Sequence, residues 1–492
     1  MNNTMHKYNK NIVLLIALVA MLVPNACQKD LLDPVPQNSL SDATIFATPD
    51  RFVSLINGIY ARMKSGQFYG GRYLVYGDVA AEEFLNETGN GVTALQVWNH
   101  TLGESANEVN NLWNAVYATI NSCNIFIDGA DKNRAVLNND ALANQYIAEA
   151  RFVRALCYHS LLLTYSRPYA DGNGSNPGVP LRVQPEIGPT NNNLARSTVA
   201  EVYALILDDL NFAEQNLAAT NATSGSLNVT RAHKNSAIAL KTRVLLAMGR
   251  YNDVITEANK LVPAAAPFKA PSGVAHELQA NVKNVFSTPY TTTESIFSMP
   301  FTTSDLPGVQ NGLGSYYNPG PAGVGDYSLN PKGIIGDTLH FPLSDARRQF
   351  VLNHTNNKPY LKKFPLGPEH TDYVPVLRYA EVLLNAAEAE ARTAGANQRA
   401  VDLLNAVRGR SDASVQFTLA DFATADDLIN TILRERRIEL LGEGFRDFDC
   451  LRLLQPLPGK ANVAAILPSV SEYIWPIPSG ELAVNKDCVK NP

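Results

Sequence analysis

A mainly α fold, built from stacked helical hairpins packed against a loop-rich irregular half, is what this sequence predicts. Three observations point to it. Apolar residues recur at helical spacing through 48–262 and again through 380–408. Small residues stand where the two helices of a pair would cross. Between these stretches, 263–375 is rich in Gly, Pro, Thr, Tyr and Asn and carries few helical signals, and so long a loop is usually functional. At 492 residues the chain exceeds the size of a single core, so it forms either two domains or one extended helical array.

The first segment is a targeting signal. Lys7 and Lys10 precede an apolar run from Ile12 to Val23, which is shorter than the ~20 residues a membrane-spanning helix needs. Ala26 stands directly before Cys27. The arrangement reads as a bacterial lipoprotein signal: residues 1–26 are removed and Cys27 carries the lipid, which anchors by burying acyl chains. Residues 27–40 then form a lipidated tether, with LLDPVPQN at its end. Removing the leader takes two lysines and leaves 39 basic against 46 acidic side chains, a net charge of −7. With no basic stretch, that excludes a nucleic-acid footprint.

Helices follow in order. Thr48–Lys64 places Phe52, Leu55, Ile56, Ile59 and Tyr60 on one face, with Thr48 as N-cap and Pro49 at the first helical position. Asn107–Asp128 and Asn139–Tyr165 are long amphipathic stretches, and Ser197–Leu217 opens on a Ser-x-x-x-Glu cap. Thr230–Met248 and Asn252–Val262 flank Gly249-Arg250-Tyr251. In that pair Ala237, Leu240, Leu245, Gly249, Tyr251 and Ala258 resemble a tetratricopeptide repeat: small residues at the crossing, Gly at the turn, Tyr behind it. Ala380–Arg392 with Asn397–Arg408 forms a second such pair. Ala148–Tyr165 with Ser197–Leu217 forms a third, across a long loop.

The last third carries the most specific text: Val374-Pro375-Val376-Leu377-Arg378-Tyr379-Ala380-Glu381, then Leu404-Asn405-Ala406-Val407-Arg408, then Arg434-Glu435-Arg436-Arg437-Ile438-Glu439. It continues with Glu443-Gly444-Phe445-Arg446-Asp447-Phe448-Asp449 and Trp475-Pro476-Ile477-Pro478. This ordered set resembles the SusD/RagB family of outer-membrane lipoproteins of Bacteroidetes. The resemblance implies a fold of tetratricopeptide-like, SusD-like repeats. It implies a single domain over 41–492, divided into an N-terminal part (41–285) and a C-terminal part with the insertion (286–492). It implies a cell-surface protein that captures oligosaccharides, or in some members peptides, and sits as a lid on a SusC-like TonB-dependent transporter. Lys29-Asp30 beside Cys27 is similar to the family's signal for the outer leaflet.

Chemistry is otherwise sparse. No H-E-x-x-H, G-x-S-x-G, P-loop or C-x-x-C occurs, so neither a catalytic motif nor a cofactor is indicated. Asp171, Asn173 and Ser175 have calcium-loop spacing, but Asn176 and Arg182 replace the required Gly and Glu. Glu82-Glu83, Asp208-Asp209 and Asp426-Asp427 read as solvated or capping acids, not the paired carboxylates of a glycosidase. Arg434 to Glu439 is too densely charged for a buried face and reads as ion pairs locking a late helix to the repeats, with Arg446 and Asp449 in a similar role. Cys123 and Cys157 read as core residues; Cys450 and Cys488 either stay free or pair with each other in an oxidising compartment. A sugar needs flat rings for its C–H faces and polar groups for its hydroxyls. The expected stacking platform is Trp98, Tyr69 and Tyr73 with Tyr316 or Tyr317, and Arg72, Asp78 and Asn99 are the expected hydrogen-bonding groups.

Overall fold

The computed structural model describes residues 45–188, 192–221 and 225–491. The leader, Cys27 and the 27–40 tether lie outside the described residues. Helices dominate: α1 (Pro49–Met63), α2 (Arg72–Val79), α3 (Asn107–Lys132), α4 (Asp140–Tyr165), α5 (Val199–Asn216), α6 (Lys234–Ala247) and α7 (Tyr251–Ala258). After the insertion come α8 (Tyr379–Ala394), α9 (Gln398–Ser411), α10 (Ala425–Glu439) and α11 (Arg446–Arg452). Each long helix packs on the next in sequence: α1 on α3, α3 on α4, α4 on α5, α5 on α6, α6 on α7, α7 on α8, and α8 on both α9 and α10. These are stacked hairpins of the kind the small-residue crossings predict.

The caps explain where the helices start. Asn139 Oδ1 accepts from Leu142 N at the head of α4, and Asn397 does the same for Ala400 in α9. α5 is capped by Thr198, not Ser197: Thr198 and Glu201 form a reciprocal capping box. The expected helix from Thr230 is broken; a turn at Leu227–Thr230 ends in extended backbone at Arg231, and α6 begins only at Lys234. Between α6 and α7, Gly249 sits at φ +67, where a Cβ is strained, and this gives the hairpin its tight turn.

Three short antiparallel ribbons organise the insertion. β1 (Phe84–Asn86) pairs with β3 (Tyr327–Leu329), β2 (Ser295–Met299) with β6 (Val374–Arg378), and β4 (Val351–Asn353) with β5 (Pro359–Leu361). β6 is wholly buried and runs directly into α8. Tyr290, Phe297, Phe301, Tyr316, Tyr317 and Tyr327, conspicuous in the loop-rich sequence, are all buried and fill the joint between the two halves. Cys123, Cys157, Cys450 and Cys488 are free and buried, with Cys450 and Cys488 in separate apolar clusters.

Within the dense charge near the C-terminus, Glu435, Arg436 and Glu439 are also buried, contrary to expectation, while Arg434 and Arg437 are half-buried. Arg378 on β6 holds Glu443 at 2.7 Å, Glu294 at 2.6 Å and Glu439 at 3.0 Å. Lys363 joins Glu443 at 2.7 Å, and Arg410 joins Glu294 at 2.9 Å and Glu439 at 2.7 Å. Arg347 pairs with Asp345, Glu435 and Glu439, and Arg408 with Asp345 and Glu435. Five cations thus face five carboxylates, and a buried cluster persists only when its charges balance and are hydrogen-bonded. The expected locking role stands; the partners are the insertion and β6 as well as neighbouring helices. Arg446 and Asp449 go to different partners: Arg446 to Glu82 at 2.7 Å, Asp449 to Arg452 at 2.8 Å and Arg436 at 3.1 Å.

The acid pairs also differ from a solvated reading. Glu82 and Glu83 are buried, and Glu83 accepts from Arg437 Nε at 2.9 Å. Asp209 is buried between Arg151 and Arg154, while Asp208 stays exposed. Asp427 does cap α10, through Thr424. Asp171 pairs with Arg167 at 2.5 Å, and among the described residues no group of three or more His, Cys, Asp or Glu is placed to hold a metal.

Candidate functional site

The residues expected to stack on a ligand lie at the seam between the early loops and the insertion, but they face inward. Tyr316 and Tyr317 are fully buried and Trp98 is 9% exposed. Trp98 Nε1 donates to Phe84 O at 2.9 Å, and Phe84 packs on Tyr317 with ring centroids 5.0 Å apart. Tyr317 donates to Asp78 at 2.8 Å; Tyr316 donates to Gln310 O at 2.7 Å. Arg72 Nε donates to Asn311 at 2.7 Å. These rings therefore present no open face for a sugar. They fill the seam, because docking two loop-rich segments needs flat apolar area with a polar edge that the neighbouring backbone satisfies. Tyr69 and Tyr73 pack on each other at 5.1 Å, and Tyr73 stacks on Phe448 at 5.5 Å, turned toward a different, interior cleft. Asn99 is half-buried, and its Oδ1 has no hydrogen-bond partner.

The seam is closed by the Glu443–Asp449 motif, in which successive residues reach different elements. Gly444, at φ +80, lies against Leu74, and a Cβ on Gly77 of α2 would meet Gly444 O at 2.2 Å. Only two glycines permit that approach. Phe445 lies under the Arg243 guanidinium at 4.9 Å. Arg446 takes Glu82, and Phe448 takes Tyr73.

Next to this closure a narrow cleft opens between α2, the end of α4 and the C-terminal segment. Tyr76, His100, Asp447, Glu472, Tyr473 and Trp475 line it. Trp475, unlike Trp98 and Trp113, is half-exposed, and its ring lies 5.1 Å from that of Tyr76. Asp447 Oδ1 is buried without a hydrogen-bond partner, as is Glu108 Oε1 on α3. A buried polar atom left unpaired is costly.

Burial sets the protonation states here. It raises the Asp78 carboxyl to about 8, although Tyr317 and the Gly444 N–H donate to it. Burial pushes Asp447 up to about 7 and Lys460 down to about 7, each partly countered by the other. Lys460 donates to the carbonyls of Val79 and Ala80 and lies 5.8 Å over the Trp98 ring. His100 falls to about 4 through burial and the nearby Lys460, so its ring is neutral at pH 7. The cleft offers rings and hydrogen-bonding groups, with the exposed Glu472 at its edge. The four described cysteine thiols are held up by burial. Sequence reading meets Trp475 only as part of the Trp-Pro-Ile-Pro motif. The pairing of Tyr76 with Trp475 across the fold has no local signature.

Known proteins give this arrangement a context. A family model described as "Starch-binding associating with outer membrane" matches residues 30–246, and one described as "SusD family" matches 335–465. SusD-like protein P2 of Formosa agariphila is 26% identical over 98% of both chains. A SusD superfamily protein from Bacteroides fragilis has a crystal structure that superposes with a TM-score of 0.81 at 32% identity, covering 90% of this chain and 99% of that one. Another from Bacteroides thetaiotaomicron gives 0.80 at 25% identity, covering 90% and 100%. No helix among the described residues is long and apolar enough to cross a membrane. With the stacked helical hairpins, the insertion docked through its aromatic seam and likeness over nearly the whole chain, this protein belongs to the SusD/RagB family.

Proposed function

We propose that the protein is a non-enzymatic, surface-exposed lipoprotein that captures oligosaccharides and passes them to a SusC-like TonB-dependent transporter. The observation that carries this reading is the likeness along nearly the whole chain to a family whose N-terminal model is described as starch-binding and associating with the outer membrane. Anchoring falls to Cys27 after loss of residues 1–26, and residues 27–40 join the anchor to the body. The ligand is placed at the mouth of the Trp475 cleft. There the half-exposed indole stacks on a sugar face, Glu472 and His100 take hydroxyls, and Asn99 and Tyr76 stand behind them. Arg72, Asp78, Trp98, Tyr316 and Tyr317 act as the supporting seam, and Tyr69 and Tyr73 support it from the interior cleft.

Glycan-array binding by the purified protein, followed by titration of the best oligosaccharide, tests the reading. Trp475→Ala is expected to weaken binding about tenfold, ~1.4 kcal/mol, near the top of the ~0.5–1.5 kcal/mol that an aromatic contact carries beyond the area it buries. Unchanged affinity removes the cleft; absence of any glycan hit with retention of peptides moves the protein to peptide capture. Co-purification of a TonB-dependent transporter, lost in Cys27→Ala cells together with palmitate labelling, tests the anchor and the partner.

A further inference from the structure

We infer that a second carbohydrate site, selective for acidic sugars, lies in an open cleft of about 460 Å³ beside α10. That volume falls within the ~300–1,000 Å³ of small-ligand sites. Its floor is one stripe of the helix: Asp427, Thr431, Arg434 and Ile438 follow at helical spacing, with Asn430 beside them. One wall is Leu339-His340 of the insertion, where Leu339 is 82% exposed; the other is the loop from Val415 to Phe422.

The charges in this cleft are unevenly committed. Asp421 and Asp427 turn back onto their own caps, accepting from Thr418 and Thr424. Glu435 is held by Arg347 and Arg408. Arg434 has no ion pair among the described residues, although the nearby Asp337 is lowered in part by its charge. Asp337 takes His340 Nδ1 at 2.9 Å, which leaves His340 Nε2 without a partner at the cleft wall. Behind them Arg408, nine-tenths buried, keeps an unpartnered Nε. An open guanidinium beside an imidazole nitrogen fits a carboxylate, because the planar fork matches two oxygens. Asn430 and Thr431 suit ring hydroxyls, and the half-buried Phe417 and exposed Leu339 suit a sugar's C–H face. A hexuronate residue of an oligosaccharide satisfies all three. None of these residues lines the Trp475 cleft, so the two sites fail or stand separately.

Calorimetric titration with trigalacturonate and with its methyl ester tests this, using the wild type, Arg434→Ala, Arg434→Lys and Trp475→Ala. The expected result is binding of the acid at least about tenfold tighter than the ester, the size of one charge-assisted contact. That preference should vanish in Arg434→Ala, return in part in Arg434→Lys and persist in Trp475→Ala. Arg434 is partly exposed, so the variants should keep the wild-type melting temperature, which is measured alongside. No binding of the acid at millimolar concentration, equal binding of acid and ester, or a preference lost in Trp475→Ala but kept in Arg434→Ala would each overturn the inference.

Discussion

Replacing Arg378 by Met removes the central cation of the buried network and leaves the hydrophobic volume nearly filled. In the wild type Arg378 makes four side-chain contacts of 2.6–3.0 Å to Glu294, Glu439 and Glu443, and its Nη2 donates to Glu439 O at 3.2 Å. After the change, Glu443 keeps Lys363, and Glu294 keeps Arg410, while Glu439 keeps Arg410 and Arg347. Four cations then face five buried carboxylates, an excess of one negative charge. Breaking a buried pair on one side costs about 3–5 kcal/mol, because the remaining charge stays desolvated. At about 2 °C per kcal/mol for a large chain, the melting temperature should fall by roughly 6–10 °C. Two further variants separate charge from packing. Arg378→Met with Glu443→Gln restores the balance and should recover part of the loss. Arg250→Ala breaks a surface pair with Asp253, 2.6 Å apart and nearly half exposed on both sides, and should cost only ~0–1 kcal/mol. Thermal unfolding followed by tryptophan fluorescence reads all three. Wild-type stability of Arg378→Met, or a double variant no better than the single one, refutes the reasoning.

Asp78→Asn copies the neutral carboxyl that burial enforces, with a folded value about 8 against ~3.9 unfolded. A raised folded value gives stability that is fully present below ~3.9 and is lost as pH rises toward 8, at about 1.4 kcal/mol per unit. The variant should therefore gain on the wild type steadily between pH 5 and pH 8 in melting temperature, and a constant difference contradicts the assignment. Gly77→Ala pushes a Cβ to 2.2 Å from Gly444 O and should cost about 1–3 kcal/mol in urea unfolding; a neutral result means that α2 is not pinned there. Thr198→Ala opens the α5 capping box and should cost ~1 kcal/mol by the same assay.

The helical array was legible because its signals are local. Asn139, Asn397 and Gly249 mark starts and a turn within a few residues of the positions they control, and the periodic apolar faces need no knowledge of partners. The breaks between prediction and structure are long-range. Nothing near Trp98 in sequence says that Phe84 O will take its indole N–H, or that Tyr317, more than 200 residues on, will pack on Phe84. An aromatic residue in a Gly- and Asn-rich loop has the same composition whether it awaits a ligand or seals a seam, and only burial separates the two. Trp475 shows the converse: it sits in a motif that reads as structural, yet it is only half-buried.

The charged C-terminal motif shows why density of charge is a poor guide to exposure here. A single buried ion pair is barely favourable, because desolvation consumes most of the attraction. Ten balanced groups drawn from the insertion, β6, α9 and α10 behave differently, since each carboxylate is shared by two or more cations and each guanidinium is held from several sides. β6 and α9 bring only cations to the network, and α10 with the turn beyond brings only carboxylates, so none of these three can be neutral when buried alone. Glu294 comes from the insertion just before β2, Arg378 from the end of β6, and Glu439 and Glu443 from the end of α10 and the turn beyond it. The network therefore forms only when the loop-rich half is seated on the repeats, and it makes that seating specific as well as stable. A protein whose insertion has few helices and little regular sheet gains from such a device the fixed geometry that a ligand cleft at the seam requires.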